Sequence, residues 1–155
     1  MEVQEMMEQV KNHGETAGHQ VETMAPLTLA YMGDALFEMY MRDYLIRKPQ
    51  TTIHRLHRRT VTYVNAAAQA EMVRQLQPFL TDQEKDAVRR GRNQKSGTVP
   101  RNTDPATYRV ATGFEALLGW LYYRNQLPRL MDIMSKAVEL LEKTREEAAS
   151  SHEAI

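Results

Sequence analysis

The chain has 155 residues, enough for one domain with a real core and short for two. It contains no cysteine, which excludes disulfides, thiolate metal sites and cysteine nucleophiles. Twenty Lys or Arg balance twenty Asp or Glu, but unevenly: residues 1–25 carry five acids against one Lys, and residues 47–101 carry twelve bases against four acids, so a neutral total does not exclude a polyanionic partner.

In chain order, residues 1–20 are polar, interrupted by glycine and rich in Glu and Gln, and are expected to be a weakly anchored appendage. They lack the basic start and apolar stretch of a leader. No apolar run approaches the length needed to span a bilayer, so the expectation is a soluble, cytoplasmic protein without a membrane partner. The domain proper is expected over residues 21–145, with a frayed tail at 146–155.

Pro26 suits the first turn of a helix over Leu27–Leu45. At helical spacing, Leu27, Ala30, Tyr31, Phe37, Met41 and Leu45 share a side with Asp34, while Leu29, Met32, Leu36 and Met39 cover the other. A helix that is apolar nearly all round reads as buried. Asp34 is therefore expected in the core, where an ionised carboxylate is costly unless a cation or a set of donors compensates it.

Lys48-Pro49-Gln50 breaks the pattern, and Thr51 or Thr52 can cap a second helix running to Pro78. Ile53, Leu56, Val61, Val64, Ala68, Met72 and Leu76 supply its apolar stripe, and His54, Arg55, His57, Arg58 and Arg59 make its first turns basic. Thr81 and Glu84 form a capping box for a short helix ending near Gly91. The loop GRNQKSGTVPRNTD follows, in which Arg92, Asn93, Lys95, Ser96 and Arg101 can donate to phosphates or ribose hydroxyls. Asp104 and Pro105 read as an N-cap and a first helical residue opening a long helix through Gln126. Leu127-Pro128 turns the chain into a final amphipathic helix carrying Leu130, Ile133, Met134, Ala137, Leu140 and Leu141, with fraying beyond Thr144. No alternating polar and apolar run of useful length appears, so the fold is expected to be all-α.

The long helix repeats the oddity of the first. Glu115 shares its side with Tyr108, Ala111, Thr112, Leu118, Gly119 and Tyr122, and Gly119 allows another helix to approach closely. Two carboxylates on facing helices are a common way for bundles to hold Mg²⁺ or a similar hard cation. A lone Asp on an apolar helix is more often structural; two such residues shift the balance toward a site. The ten methionines, with Trp120, Tyr122 and Tyr123, read as core or interface packing.

Tyr31-Met32-Gly33-Asp34-Ala35-Leu36 resembles the signature helix of the ribonuclease III catalytic domain, and Phe114-Glu115-Ala116-Leu117-Leu118-Gly119 resembles that family's second acidic segment. The resemblance covers roughly residues 25–141 and is greatest to the short bacterial branch that has no double-stranded RNA-binding domain. It implies a ribonuclease III-like helical bundle and a Mg²⁺-dependent endoribonuclease, with Mn²⁺ as a possible substitute. It further implies a homodimer that cuts double-stranded RNA, with large-subunit ribosomal RNA precursors as substrate. Asp34 and Glu115 take the catalytic and metal-binding positions. Larger family members carry further acids at the positions of Leu27, Ala30 and Thr112, so this site is leaner. Glu38 and Thr112 are candidates for supporting the metal ligands, Glu38 alternatively pairing with Arg42. Arg92, Asn93, Lys95, Ser96, Arg101, His54 and Arg58 are candidates for RNA contact. The competing expectation is a non-catalytic RNA-binding or ribosome-associated module on the same fold.

Overall fold

A computed structural model describes residues 2–13, 21–49, 52–94 and 98–153. Among them lie the α-helices α1 (Val3–His13), α2 (Pro26–Ile46), α3 (Ile53–Val64), α4 (Ala66–Leu76), α5 (Asp82–Arg92), α6 (Pro105–Tyr123) and α7 (Leu127–Glu153), and no strand. None of these helices is long and apolar enough to cross a membrane. The all-α expectation holds.

The central element is α6. From Ala111 to Tyr122 every residue is buried except Glu115. Helices α2, α4, α5 and α7 all pack against it, and Phe114, Leu117, Leu118 and Leu121 are fully buried at their junction. Trp120 and Tyr122 are buried there too, as expected, and Met41, Met72 and Met134 fill the same core. Asp104 caps α6 by accepting from the Thr107 N–H, with Pro105 in its first turn. At the other end, Asn125 takes a left-handed φ of 61°, and Gln126 N–H donates to the Leu121 carbonyl, which closes the helix.

Two glycine-lined crossings set the geometry around α6. A Cβ added to Gly33 of α2 would lie 1.8 Å from the Glu115 carbonyl oxygen, and one added to Gly119 would lie 2.0 Å from that of Leu29. The pairs Gly33–Glu115 and Leu29–Gly119 are each one turn apart and run in opposite senses, so α2 and α6 are antiparallel and in backbone contact. On the other flank, a Cβ on Gly91 of α5 would lie 2.6 Å from the Ala116 Cβ, and one on Gly113 would lie 2.6 Å from the Val88 carbonyl oxygen. Small residues at these positions let three backbones converge on one turn of α6.

Four expectations are corrected. Helix α2 buries only one face, through Leu29, Ala30, Gly33, Leu36, Phe37, Met41 and Leu45; Leu27, Tyr31 and Asp34 are exposed, Tyr31 at 84%. Hydrophobicity alone could not separate this half-buried helix from α6, which has a partner on every side. The helix expected from Thr52 to Pro78 is two helices, because Asn65 interrupts it. The Asn65 side chain accepts from the Ala68 N–H as the N-cap of α4 and donates to the Val61 carbonyl at the end of α3. Residues 3–13 are helical rather than a loose appendage: Val3 and Met7 are buried, and α1 packs on α7. Helix α7 continues to Glu153, past the fraying expected at Thr144.

The capping box behaves as the sequence predicts and does more. Thr81 Oγ1 accepts from the Glu84 N–H, and Glu84 Oε1 accepts from the Thr81 N–H. Glu84 is 2% exposed, and Arg129 of α7 grips both its oxygens at 2.8 Å while donating to the Phe79 carbonyl. Burial alone would raise the Glu84 pKa; the hydrogen bonds from Arg129 and Thr81 outweigh it and hold the carboxyl below its usual value. That stabilisation is present above the unfolded-state pKa of about 4.3 and is lost as pH falls through the lower folded-state value. Glu84→Gln is expected to cost about 2 kcal/mol at neutral pH. In urea melts the difference from wild type should shrink toward zero as pH drops below about 4; a pH-independent difference would show that the charge is immaterial.

Candidate active site

The antiparallel contact of Gly33 with Glu115 decides where the two acids meet. Asp34 follows Gly33 directly, so its side chain leaves α2 at the crossing, on the exposed edge of the helix. Glu115 leaves α6 at the same level, half-buried, with the Asp34 carboxyl near enough to act on it. The expectation that both acids are sunk in the core is thus corrected: Asp34 is exposed, and the pair sits at the rim, one member toward solvent and one toward the core.

Burial first, then the hydrogen bond and negative charge of Asp34, push the Glu115 pKa up to about 9. The rise is what burial and a neighbouring carboxylate impose on a carboxyl group. A third residue, which the sequence did not single out, bears on Glu115: the side chain of Gln69 of α4, 3% exposed, favours the charged form and opposes that rise. Its signal was available, as a long polar residue at a core position in Ala66-Ala67-Ala68-Gln69-Ala70, but the unbroken helix expected there obscured which way it faced.

The remaining candidates divide by place. Thr112 is buried one turn before Glu115, and its hydroxyl donates to the Tyr108 carbonyl, an intrahelical bond. Glu38 lies one turn after Asp34 and is bound by Arg42, the alternative weighed from sequence; the ion pair is 2.9 Å long and open to solvent. Arg92 and Asn93 are both exposed at the end of α5, where the Arg92 backbone passes Gly113 on the flank of α6 away from the Gly33–Glu115 crossing. Arg101 is exposed further along it. Lys95 and Ser96 fall outside the described residues. His54 and Arg58 are exposed in the basic turns of α3, on a different helix from either acid.

The donor set is oxygen-rich and compact. Among the described residues no group of three or more His, Asp or Glu side chains gathers anywhere, so Asp34 and Glu115 stand as a pair. Two neighbouring carboxyls, with no sulfur or imidazole beside them, fit a hard divalent cation better than a soft one.

Comparison with known proteins gives a consistent placement. A family model described as Ribonuclease III domain matches residues 27–126. A protein named mini-ribonuclease 3 from Symbiobacterium thermophilum is 46% identical over 121 residues, which cover 78% of this chain and 93% of that protein. Its namesake from Gloeobacter violaceus is 48% identical over 107 residues, covering 69% of this chain and 78% of that protein. The crystal structure of a Fusobacterium nucleatum protein superposes with a TM-score of 0.69 at 26% identity, over 76% of this chain and 93% of the other. With both acidic segments inside the matched span and the helical fold shared, the chain belongs to the ribonuclease III domain family, in its mini-ribonuclease 3 group.

Proposed function

We propose that this protein is a metal-dependent endoribonuclease that cuts double-stranded RNA. The observation that carries the proposal is the acid pair itself, Asp34 and Glu115, brought together at the rim by the Gly33–Glu115 crossing. Both residues would hold Mg²⁺, with Mn²⁺ as substitute. When bound, such a cation polarises the scissile phosphodiester and makes a strong nucleophile available at neutral pH. The protein's own part is to present two carboxylates at fixed separation and to hold the RNA backbone across them. Arg92, Asn93, Lys95, Ser96, Arg101, His54 and Arg58 would supply the contacts to phosphates or ribose.

The substrate we propose is a precursor of large-subunit ribosomal RNA, processed in the cytoplasm, as the resemblance to the short bacterial branch implies. The working form is a homodimer, each subunit serving one strand. Leu27, 38% exposed, and Tyr31 lie on the same stripe of α2 as Asp34, and an apolar pair left open beside a charged site supports burial against a second copy.

Incubation with a duplex RNA and Mg²⁺ tests the reading. Cleavage is expected, with EDTA abolishing it and added Mg²⁺ or Mn²⁺ restoring it. Binding without cleavage in either metal would instead make the chain a non-catalytic RNA-binding module. Affinity for RNA should fall steeply between 50 and 200 mM salt, through counterion release.

A further inference from the structure

Among the described residues, three buried side-chain nitrogens have no hydrogen-bond partner: Arg90 Nε, Trp120 Nε1 and Arg124 Nε. A buried donor left unmet is costly, and folded proteins mostly avoid it. Here all three belong to residues that line one cavity of about 440 Å³, bounded by α5, the end of α6 and Glu22. That is a size for a small ligand. Trp120 follows Gly113 by two helical turns, so the cavity lies on the α5 flank of α6, away from the Gly33–Glu115 crossing.

The groups around it differ in depth. Trp120 is 3% exposed, whereas Glu22 and Asp82 are open to solvent. The Arg124 guanidinium lies over the Trp120 ring at 4.6 Å and reaches Glu22 Oε1 at 2.6 Å. Arg90 is 3.1 Å from one Asp86 oxygen as an ion pair, and Arg89 holds the other. Arg89, Arg90 and Arg124 thus balance Glu22, Asp82 and Asp86, and a phosphate group gains no net attraction from the set. The unmet donors call for an acceptor oxygen at depth, and the carboxylates at the mouth call for N–H groups. A carbonyl flanked by N–H donors on one planar edge meets both demands. Among the nucleobases guanine carries the most N–H groups beside its carbonyl, on N1 and on the exocyclic amino nitrogen.

We propose that this cavity binds a guanine base, its carbonyl oxygen accepting from the Trp120 and arginine N–H groups and its N–H edge donating to the carboxylates at the mouth. The choice of a nucleobase as the bearer of that edge rests on the RNA-cutting reading above. The same chemistry has two sources, an unpaired guanosine of the RNA and a free guanine nucleotide.

Trp120 is the one tryptophan of the chain, so its indole N–H resonance reads the cavity directly. The full chain is titrated in EDTA with guanosine, GMP, N1-methylguanosine, adenosine and inorganic phosphate. Guanosine and GMP are expected to move the resonance and saturate with a Kd of about 1 mM or below. N1-methylguanosine keeps the carbonyl but loses an N–H, and should bind about 10-fold more weakly. Adenosine and phosphate should leave the resonance in place. Trp120→Phe keeps a packed ring without the donor and should abolish calorimetric binding of GMP. Arg124→Gln, at a partly exposed side chain, carries the same test if Trp120→Phe does not fold. A duplex ending in an unpaired guanosine, set against the same duplex ending in adenosine, identifies the RNA as source if only the former moves the resonance; a response to GMP alone identifies the free nucleotide. No response to any guanine compound overturns the proposal. So does a saturating shift with phosphate alone, which would make the cavity an anion site. If wild type binds guanosine but cuts no duplex RNA in Mg²⁺, the RNA-cutting reading fails; if it cuts and no guanine compound moves Trp120, this inference alone fails.

Discussion

Asp34→Asn is expected to lower the rate of duplex RNA cleavage by about 10³-fold or more, equivalent to about 4 kcal/mol of lost transition-state stabilisation, while RNA binding in EDTA stays within about twofold. The asymmetry follows from the place of Asp34. It is exposed at the rim and makes no packing contact that Asn could not make, so the change removes charge and little else. Single-turnover cleavage and filter binding on the same duplex separate the two effects. A variant that still cuts at more than a tenth of the wild-type rate would remove Asp34 from the chemistry.

Glu115→Gln carries the same loss of cleavage with an opposite effect on the apo-protein. The Glu115 pKa stands near 9 in the folded chain, above its unfolded value, because of burial and the neighbouring Asp34. A raised pKa means that stability is fully present below the unfolded value of about 4.3 and drains away as pH climbs through the folded one. In chelator, wild type should therefore weaken from neutral to alkaline pH, and Glu115→Gln should show a flatter profile and a higher melting temperature at pH 9. A site that costs stability until its ligand arrives is a common signature of function.

Gly33→Ala is expected to destabilise the fold by about 4 kcal/mol or more, enough to lower the melting temperature by about 10 °C. The new methyl would meet the Glu115 carbonyl oxygen at 1.8 Å. Backbone cannot rotate out of the way as a side chain can, so α2 and α6 must separate. Gly119→Ala meets the Leu29 carbonyl at 2.0 Å and should behave alike. Because the same crossing places the acids, any folded remainder of either variant should lose cleavage out of proportion to its loss of folded protein. A Gly33→Ala protein that melts within about 2 °C of wild type would show that the helices are not in backbone contact.

Most of the helical inventory was legible from local chemistry. Pro26, Thr52, the Thr81–Glu84 box and Asp104-Pro105 mark helix starts through side-chain and backbone bonds formed within four residues, and each is found where expected. The break at Asn65 was missed for a related reason: the apolar stripe runs on through it, and only the direction of the chain reveals that Asn65 serves two helices at once. The candidate site was half legible. Asp34 and Glu115 stood out as acids on apolar helices, but periodicity could not tell that α2 leaves Leu27, Tyr31 and Asp34 uncovered while α6 is enclosed. The order of burial among apolar helices depends on which neighbours they acquire.

Residue chemistry close along the chain thus determined the helices, their caps, the all-α class and the two acids that matter. The pairing of those acids was a matter of tertiary structure. It needed two glycines far apart in sequence to let α2 and α6 touch, and a short α4 to deliver Gln69 behind Glu115. The physical reason is range: capping and periodicity act within a turn or two, whereas the burial and the neighbouring carboxylate behind the Glu115 pKa arise only from groups that folding brings together.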